Sequence, residues 1–183
     1  MTEPDVVGEG VRATRRRWSE LTADGGEAPG TVILVVASFT AQPVEAALGV
    51  THHGGEGRIP SITFADYNQV FQVCLQPAAH GADRADEVVI LWRIEDLFER
   101  DLLLAVEGDQ EAEARIVAGA EQLAEAIAGL AQQVSGQIVA SDAPIPVGYG
   151  LDHDDDELVV RLTALQSTVN GVVDARLAGM PLS

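Results

Sequence analysis

The chain has 183 residues, 46% of them hydrophobic, and a formal net charge of −18. This length suits one domain with a sizeable core, and the composition is that of a globular protein. The negative charge would repel phosphate backbones and anionic lipid, which argues against nucleic-acid or membrane binding. No apolar run reaches the ~20 residues that span a bilayer and no signal segment is visible, so we expect a cytoplasmic location.

The first predicted element is a helix from Val7 to Leu21, followed by a Gly-rich connector over residues 24–30. The spacing of apolar residues changes after this connector, where a continuous strand-like run begins. We therefore divide the chain into an N-terminal helix with its connector, residues 1–30, and an α/β domain, residues 31–183.

That first helix carries an unusual concentration of basic side chains, at Arg12, Arg15, Arg16 and Arg17. A run of this kind is typical of a solvated helix face. Alternatively it is a docking patch for an acidic partner, since the chain as a whole is strongly acidic.

Short apolar runs then alternate with helical periodicity along the chain. Strands are predicted over residues 31–37, 61–65, 87–92 and 136–140. Helices are predicted over residues 43–48, 67–75, 94–104, 109–134 and 158–177, with loops over 51–60 and 77–84. This alternation predicts an α/β fold in three layers, a parallel sheet with helices on both faces. Such a sheet often takes one more strand after the final helix, so we expect a fold that lacks its last strand and a chain that is an excised module.

Two of the predicted strands run directly into clusters of polar residues, 66–68 and 93–96. Ligands and reacting groups collect at the carboxyl ends of strands in open α/β sheets, so these clusters indicate where a site would be. Arg93 can grip a carboxylate or phosphate, or it can form an internal ion pair with Glu95 or Asp96. In the other cluster, Asp66, Tyr67 and Asn68 face the same crevice. Alternatively, Asp66 and Asn68 cap backbone groups, and Asp66 would then cap the helix that follows.

Ser38 lies just past the first strand, where a serine can act as a nucleophile if a base is within reach. No Gly-x-Ser-x-Gly elbow surrounds it, and a serine at this place can instead cap the next helix. The candidate bases are His52, His53 and His80, which are predicted to lie in loops, and His153, which precedes three aspartates. None has a spacing that marks it as the partner of Ser38, although such triads are recognised by geometry.

The remaining motifs do not predict a metal, nucleotide or disulfide site. The alternating acidic residues 152–156 begin like a calcium loop but lack its Gly and its closing Glu, so no metal site is predicted. The chain contains no lysine and no phosphate loop, which excludes that type of nucleotide binding, and we expect no cofactor. The single cysteine, Cys74, cannot form an internal disulfide and is expected to be a buried, inert thiol.

Three segments together resemble the N-terminal domain of FkbH-like proteins of polyketide and nonribosomal peptide pathways. They are Phe39-Thr40-Ala41-Gln42-Pro43, then residues 64–72, which read Phe-Ala-Asp-Tyr-Asn-Gln-Val-Phe-Gln, then an apolar strand and Arg93-x-Glu95-Asp96. The resemblance implies an SGNH-hydrolase-like fold. It adds Thr40 to the candidate binding residues of the two polar clusters.

Complete members of that family add a HAD-type domain, which places a three-carbon glyceryl unit on an acyl carrier protein. That domain's Asp-x-Asp motif is absent here, so the resemblance implies a front module without that chemistry. The chain also departs from active SGNH hydrolases: Ala37-Ser38-Phe39 replaces Gly-Asp-Ser, Arg93 and its neighbours replace the Asn block, and no Asp-x-x-His follows the last helix.

We therefore predict a non-catalytic module that acts by recognition of an acyl carrier protein, a synthase module or a HAD-type transferase domain. Carrier proteins are usually acidic, so charge repulsion favours the transferase as the partner. Two alternatives remain: an SGNH-type esterase or acyltransferase with Ser38 as nucleophile, and an anionic small-molecule site at Arg93. The first needs a histidine nitrogen within ~3.2 Å of the serine oxygen, and the second needs Arg93 unconsumed by its neighbours.

Overall fold

A computed structural model describes residues 6–23, 30–146 and 156–178 of the chain. Among them, four strands form one parallel sheet in the order β2-β1-β3-β4. The strands are β1 (Val32–Ala37), β2 (Ser61–Phe64), β3 (Glu87–Leu91) and β4 (Gln137–Ala140). The predicted three-layer α/β fold with a parallel sheet is confirmed, and within the described residues β4 forms an outer edge.

Seven α-helices connect or flank these strands in the described part of the chain. They are α1 (Val6–Ala23), α2 (Glu45–Glu56), α3 (Val70–Leu75), α4 (Ile94–Leu97), α5 (Glu99–Val106), α6 (Gln110–Ala131) and α7 (Asp156–Leu177). Short 3-10 turns lie at Gln42–Val44, Pro77–His80 and Ala82–Arg84. Most of these elements agree with the sequence prediction to within a few residues.

The residues of β1 alternate between two cores, as a strand buried on both faces requires. Leu34 and Val36 belong to the larger core, which α3, α5, α6 and α7 complete. Ile33 and Val35 belong to a smaller core on the opposite face, against which Leu48 of α2 packs. The side chains of β1 are therefore covered by helical layers on both sides of the sheet.

Helix α2 is twice as long as predicted, because residues 51–56 continue it rather than forming a loop. It ends where Gly57 adopts a left-handed φ of 71° and donates its N–H to the His53 carbonyl at 2.7 Å. His52 lies on this helix and its Nε2 is 3.4 Å from Glu87 at the start of β3. The prediction that His52 and His53 lie in a loop was wrong, because the C-terminal stop is Gly57 and not the earlier glycines.

The predicted helix over 94–104 is broken into α4 and α5 at Phe98, whose φ of −131° is not helical. The Phe98 ring lies where a side chain at Gly119 of α6 would stand. Packing of this ring against α6 therefore accompanies the break. The start of α6 is a side-chain cap: Asp109 accepts hydrogen bonds from the N–H groups of Glu111 and Ala112 at 2.8 and 3.1 Å.

Helix α1 packs mainly on α2. The Trp18 ring fills the space beside Gly49, where even a Cβ atom would overlap it. Its indole N–H donates to Glu45 at 3.3 Å. The described helices include none long and apolar enough to cross a membrane.

Candidate functional site

The carboxyl ends of β1 and β3 are the switch point of this sheet, because the chain leaves β1 for β2 on one side and reaches β3 and β4 on the other. Three residues meet there: Ser38 after β1, and Arg93 and Asp96 after β3. We call them the switch-point cluster. The predicted location of the site therefore agrees with the place where the topology puts a crevice.

The Ser38 side chain is completely buried and both of its hydrogen-bonding roles are used. Its hydroxyl donates to Asp96 Oδ2 at 3.0 Å, and its oxygen accepts the backbone N–H of Arg93 at 3.0 Å. Its own backbone N–H donates to the Leu91 carbonyl at 3.0 Å, which extends the β1–β3 pairing by one residue. Ser38 thus ties the ends of two neighbouring strands together.

Arg93 forms a two-point ion pair with Asp96. Its Nε donates to Oδ2 at 2.7 Å and its Nη2 to Oδ1 at 3.1 Å, the planar geometry that suits guanidinium and carboxylate. The hydrogen bond to Asp96 is the main reason that the pKa of Arg93 is raised above its ordinary value. Its guanidinium carbon also lies 4.6 Å from the centre of the Phe39 ring, a cation–π contact. Of the two readings of Arg93, this geometry is that of the internal ion pair.

Glu95 lies beside the Arg93–Asp96 pair and makes a longer contact with Arg93. One carboxylate oxygen is 3.9 Å from the Arg93 Nε, and the other is buried without a hydrogen-bond partner among the described residues. Two carboxylates therefore face one guanidinium, so the local charge is negative. An incoming anion would meet that excess and would find two N–H groups of Arg93 already engaged.

The loop after β2 closes the other side of the site. The Asn68 N–H donates to the Ala37 carbonyl at 3.2 Å, and Asn68 adopts a left-handed φ of 55°. Asp66 and Tyr67 are exposed, Tyr67 by 65%. Asp66 does not cap α3, which begins three residues after the predicted start and has no side-chain cap. The local reason is the turn at Asn68, which delays the helix.

A cavity of about 60 Å³ lies between the ends of β1 and β2, with Phe39, Thr40, Phe64 and Tyr67 among its walls. That volume holds one or two water molecules, whereas ligand pockets usually measure ~300–1,000 Å³. A groove of about 440 Å³ exists between α6 and α7, but none of the predicted site residues lines it. The small cavity is therefore too small for an acyl substrate, and neither space is lined by a residue of the switch-point cluster.

None of the predicted bases that the structure describes forms a hydrogen bond with Ser38. His52 pairs with Glu87 at the opposite, amino end of β3, and no hydrogen bond joins Ser38 to a histidine within the described residues. His80 lies in a 3-10 turn, and His153 and most of the acidic run 152–156 lie outside the described residues. In the described part of the chain, no three His, Cys, Asp or Glu side chains form a group that could hold a metal ion.

Two residues of the site were not anticipated. Phe39, whose ring contacts the Arg93 guanidinium, is part of a sequence motif but is not among the predicted site residues. Gln69 has a buried side-chain oxygen without a partner in the described residues. Their positions directly after β1 and after the Asp66–Asn68 cluster are the signal that could have found them. Cys74 is buried as expected, and burial raises the pKa of its thiol to about 12.

Comparison with known proteins gives one structural relative and no family. No protein-family model matches the chain, and no curated protein does. The N-terminal part of the protein BF1531 from Bacteroides fragilis, a structure that contains a phosphatase domain complexed with Mg, matches with a TM-score of 0.60 at 16% identity. The match covers 94% of this chain and 42% of that one, so the chain spans less than half the length of its relative. At this identity the likeness shows a shared fold.

Proposed function

We propose that the chain is a non-catalytic, SGNH-like module of an FkbH-like protein. It would support the loading of a glyceryl-type three-carbon unit onto an acyl carrier protein, in polyketide or nonribosomal peptide biosynthesis, by recognising a partner. The observation that carries the non-catalytic part is the burial of Ser38, with its hydroxyl bound to Asp96 and its oxygen bound to the Arg93 N–H.

A nucleophilic serine needs an exposed oxygen and a base that can take its proton. Within the described residues Ser38 has neither, because its side chain is buried and its carboxylate partner already accepts two hydrogen bonds from Arg93. The neighbouring cavity of about 60 Å³ leaves no room for an acyl chain. The same residues make sense as a structural tie across the switch point, which would keep the exposed loops around Tyr67 in a fixed arrangement.

The preferred partner is a HAD-type transferase domain. Two observations support this choice over an acyl carrier protein or a synthase module. The solved structure that the chain matches contains a phosphatase domain, and the match covers 42% of that structure. The net charge of −18 would also repel an acidic carrier protein at long range.

The catalytic alternative is tested with a reactive ester and a serine-directed probe. We would measure hydrolysis of p-nitrophenyl acetate, and labelling by a fluorophosphonate, for the unaltered chain, Ser38→Ala and the control Ser135→Ala, whose serine is exposed on the other end of the molecule. The expected result is no difference among the three proteins. Labelling or turnover that disappears only in Ser38→Ala would establish an esterase and overturn the proposal.

Partner recognition is tested by calorimetry with a separately produced HAD-type transferase domain and with an acyl carrier protein. We expect binding to the transferase domain with a Kd on the order of micromolar, which is usual for domain interfaces of modest area. Binding to neither protein would refute a recognition role in this pathway. Binding to the carrier protein alone would refute the choice of partner.

A further inference from the structure

The contact between α1 and α2 leaves a groove that the switch-point cluster does not involve. Trp18 closes one end of the contact, where it packs beside Gly49. About two turns earlier on α1, a groove of about 330 Å³ opens between the two helices, with Val11 and Arg15 on one wall and Ala46 and Ala47 on the other. The groove lies on the surface, and none of the three residues of the switch-point cluster lines it.

The walls of this groove are apolar and partly open to solvent. Val11 is 46% exposed, one of the few large hydrophobic side chains that the described residues leave on the surface. Pro43 and Ala47 are also exposed, whereas Ala46 is buried beneath them. Small side chains on one wall let a partner backbone approach closely, and an exposed aliphatic side chain opposite them offers a contact that only a partner would bury.

The charge on α1 is opposite to that of the chain. This helix carries four of the 11 arginines but only two of the 29 acidic residues. Arg15 is the one charged residue among those that line the groove; Arg12 and Arg16 are exposed farther around the same helix. Arg17 lies on another flank, where it pairs with Glu20 at 3.8 Å. On a protein of net charge −18, a local positive surface is the place where acidic groups of a partner meet the least repulsion.

We propose that the groove between α1 and α2 binds an acidic amphipathic helix of a partner protein. An apolar side chain of that helix would occupy the space beside Val11 and Ala47, and a carboxylate on its flank would face Arg15. A helix laid in a groove is a common recognition mode, with apolar anchors one turn apart and polar residues on the rim. A second copy of this chain is a poorer occupant, because two molecules of charge −18 repel each other.

This inference rests on the proposed recognition role and specifies the surface that performs it. It does not depend on which protein carries the acidic helix. It does require that charge and groove act together, since exposed arginines alone would attract any anion. The test therefore separates the contribution of the groove from that of the net charge.

The probe is a fluorescein-labelled, stapled peptide helix with leucines along one face and glutamates on both flanks. The staple is needed because isolated helices of ~12–15 residues are marginal in water. Fluorescence anisotropy would measure its binding to the full chain, to Arg15→Glu, to Ala47→Gln and to the control Arg100→Glu. Arg100 is exposed on α5, so its reversal changes the net charge equally but leaves the groove intact.

We expect a Kd on the order of 10–100 μM for the unaltered chain. Arg15→Glu should weaken binding about tenfold or more, whereas Arg100→Glu should change it less than about twofold, since a distant surface charge is screened. Ala47→Gln fills the groove without a change of charge and should also weaken binding about tenfold. A peptide with lysines in place of the glutamates should not bind.

Three results would overturn the proposal. The acidic peptide does not bind, or the two arginine reversals weaken it equally, or Ala47→Gln has no effect. Sedimentation over a range of concentrations adds a fourth, a dimer of the chain that Arg15→Glu dissociates. If the peptide does not bind but the HAD-type transferase domain does, the groove proposal is refuted and the proposed function is retained. If the peptide binds but neither the transferase domain nor the carrier protein does, the proposed function is refuted, and the proposal that the groove binds an acidic helix is retained.

Discussion

Replacing Gly49 by alanine tests how α1 is held against the domain. An alanine Cβ at this position would lie well under 3.0 Å from three atoms of the Trp18 ring. Overpacking of this kind costs typically ~1–3 kcal/mol. The same substitution raises helix propensity by ~1 kcal/mol, so the free energy of unfolding of Gly49→Ala should change by roughly 0 to −2 kcal/mol.

Gly54 offers a matched control on the same helix. No atom outside its local backbone lies within 4 Å of the position that its Cβ would take. Gly54→Ala therefore gains the propensity term of ~1 kcal/mol without a clash. The difference between the two variants, roughly 1–3 kcal/mol, isolates the contact with Trp18, because the propensity term cancels.

Thermal unfolding followed by circular dichroism measures this difference. For a domain of 150–250 residues, 1 kcal/mol corresponds to ~2–4 °C in Tm, so the two variants should differ by roughly 2–12 °C. Acrylamide quenching gives a second readout, because the chain has two tryptophans and Trp92 is fully buried in the larger core. Only Trp18 should become more accessible in Gly49→Ala. If both variants are equally stabilised and quenching is unchanged, α1 does not pack on α2 as described.

The remaining predictions concern the switch-point cluster, the cysteine and a close approach of backbone. Asp96→Asn should lower the free energy of unfolding by roughly 1–3 kcal/mol, because it leaves a buried serine and a guanidinium poorly paired. The control Asp101→Asn, in an exposed ion pair, should change the free energy of unfolding by less than about 1 kcal/mol. Urea titrations measure both values, and equal effects of the two substitutions would contradict the prediction. Cys74 should resist maleimide until the protein unfolds. Since its pKa is raised from 9.0 to about 12 in the folded protein, stability should fall as pH rises from 9 towards 12, and Cys74→Ala should remove that part of the fall. Gly136→Ala should reduce soluble expression and Tm sharply, because its Cβ would collide with backbone carbonyls, whereas Gly129→Ala, with open space around it, should not.

The sequence was most informative where burial is complete. The apolar runs of β1 and β3 have no alternation because both faces of these strands are covered, and that pattern identified them and the fold class. The length of α2 could not be read in the same way. Gly54 and Gly55 have low helix propensity, yet the helix continues through them, and contacts made elsewhere, with Trp18 and with Glu87, accompany its full length.

The sequence predicts where the polar side chains of the cluster lie, but not which hydrogen bonds they form. Strand ends followed by polar residues indicate the edge of the sheet at which Ser38, Arg93 and Asp96 lie together. Asp96 and Arg93 are three residues apart, so their pairing could be weighed from the sequence, whereas the bond from Ser38 spans 58 residues. The helical spacing of Val70, Phe71, Cys74 and Leu75 predicts one core-facing side, but Leu75 is 67% exposed: the buried residues of α3 are Val70, Val73 and Cys74, and Leu75 lies off that face at the end of the helix.

The outer strand β4 has a consequence for handling the protein. Only its inner side pairs with another described strand, and Val139 is 40% exposed on it. A free edge of this kind is a template for pairing between molecules, and mutual repulsion at a net charge of −18 is what opposes such pairing near neutral pH. With a sequence pI of about 4.3, acidification removes that repulsion. Mildly acidic buffers should therefore turn a well-behaved sample into one that aggregates through its edges, and spectroscopy is best carried out well above that pH.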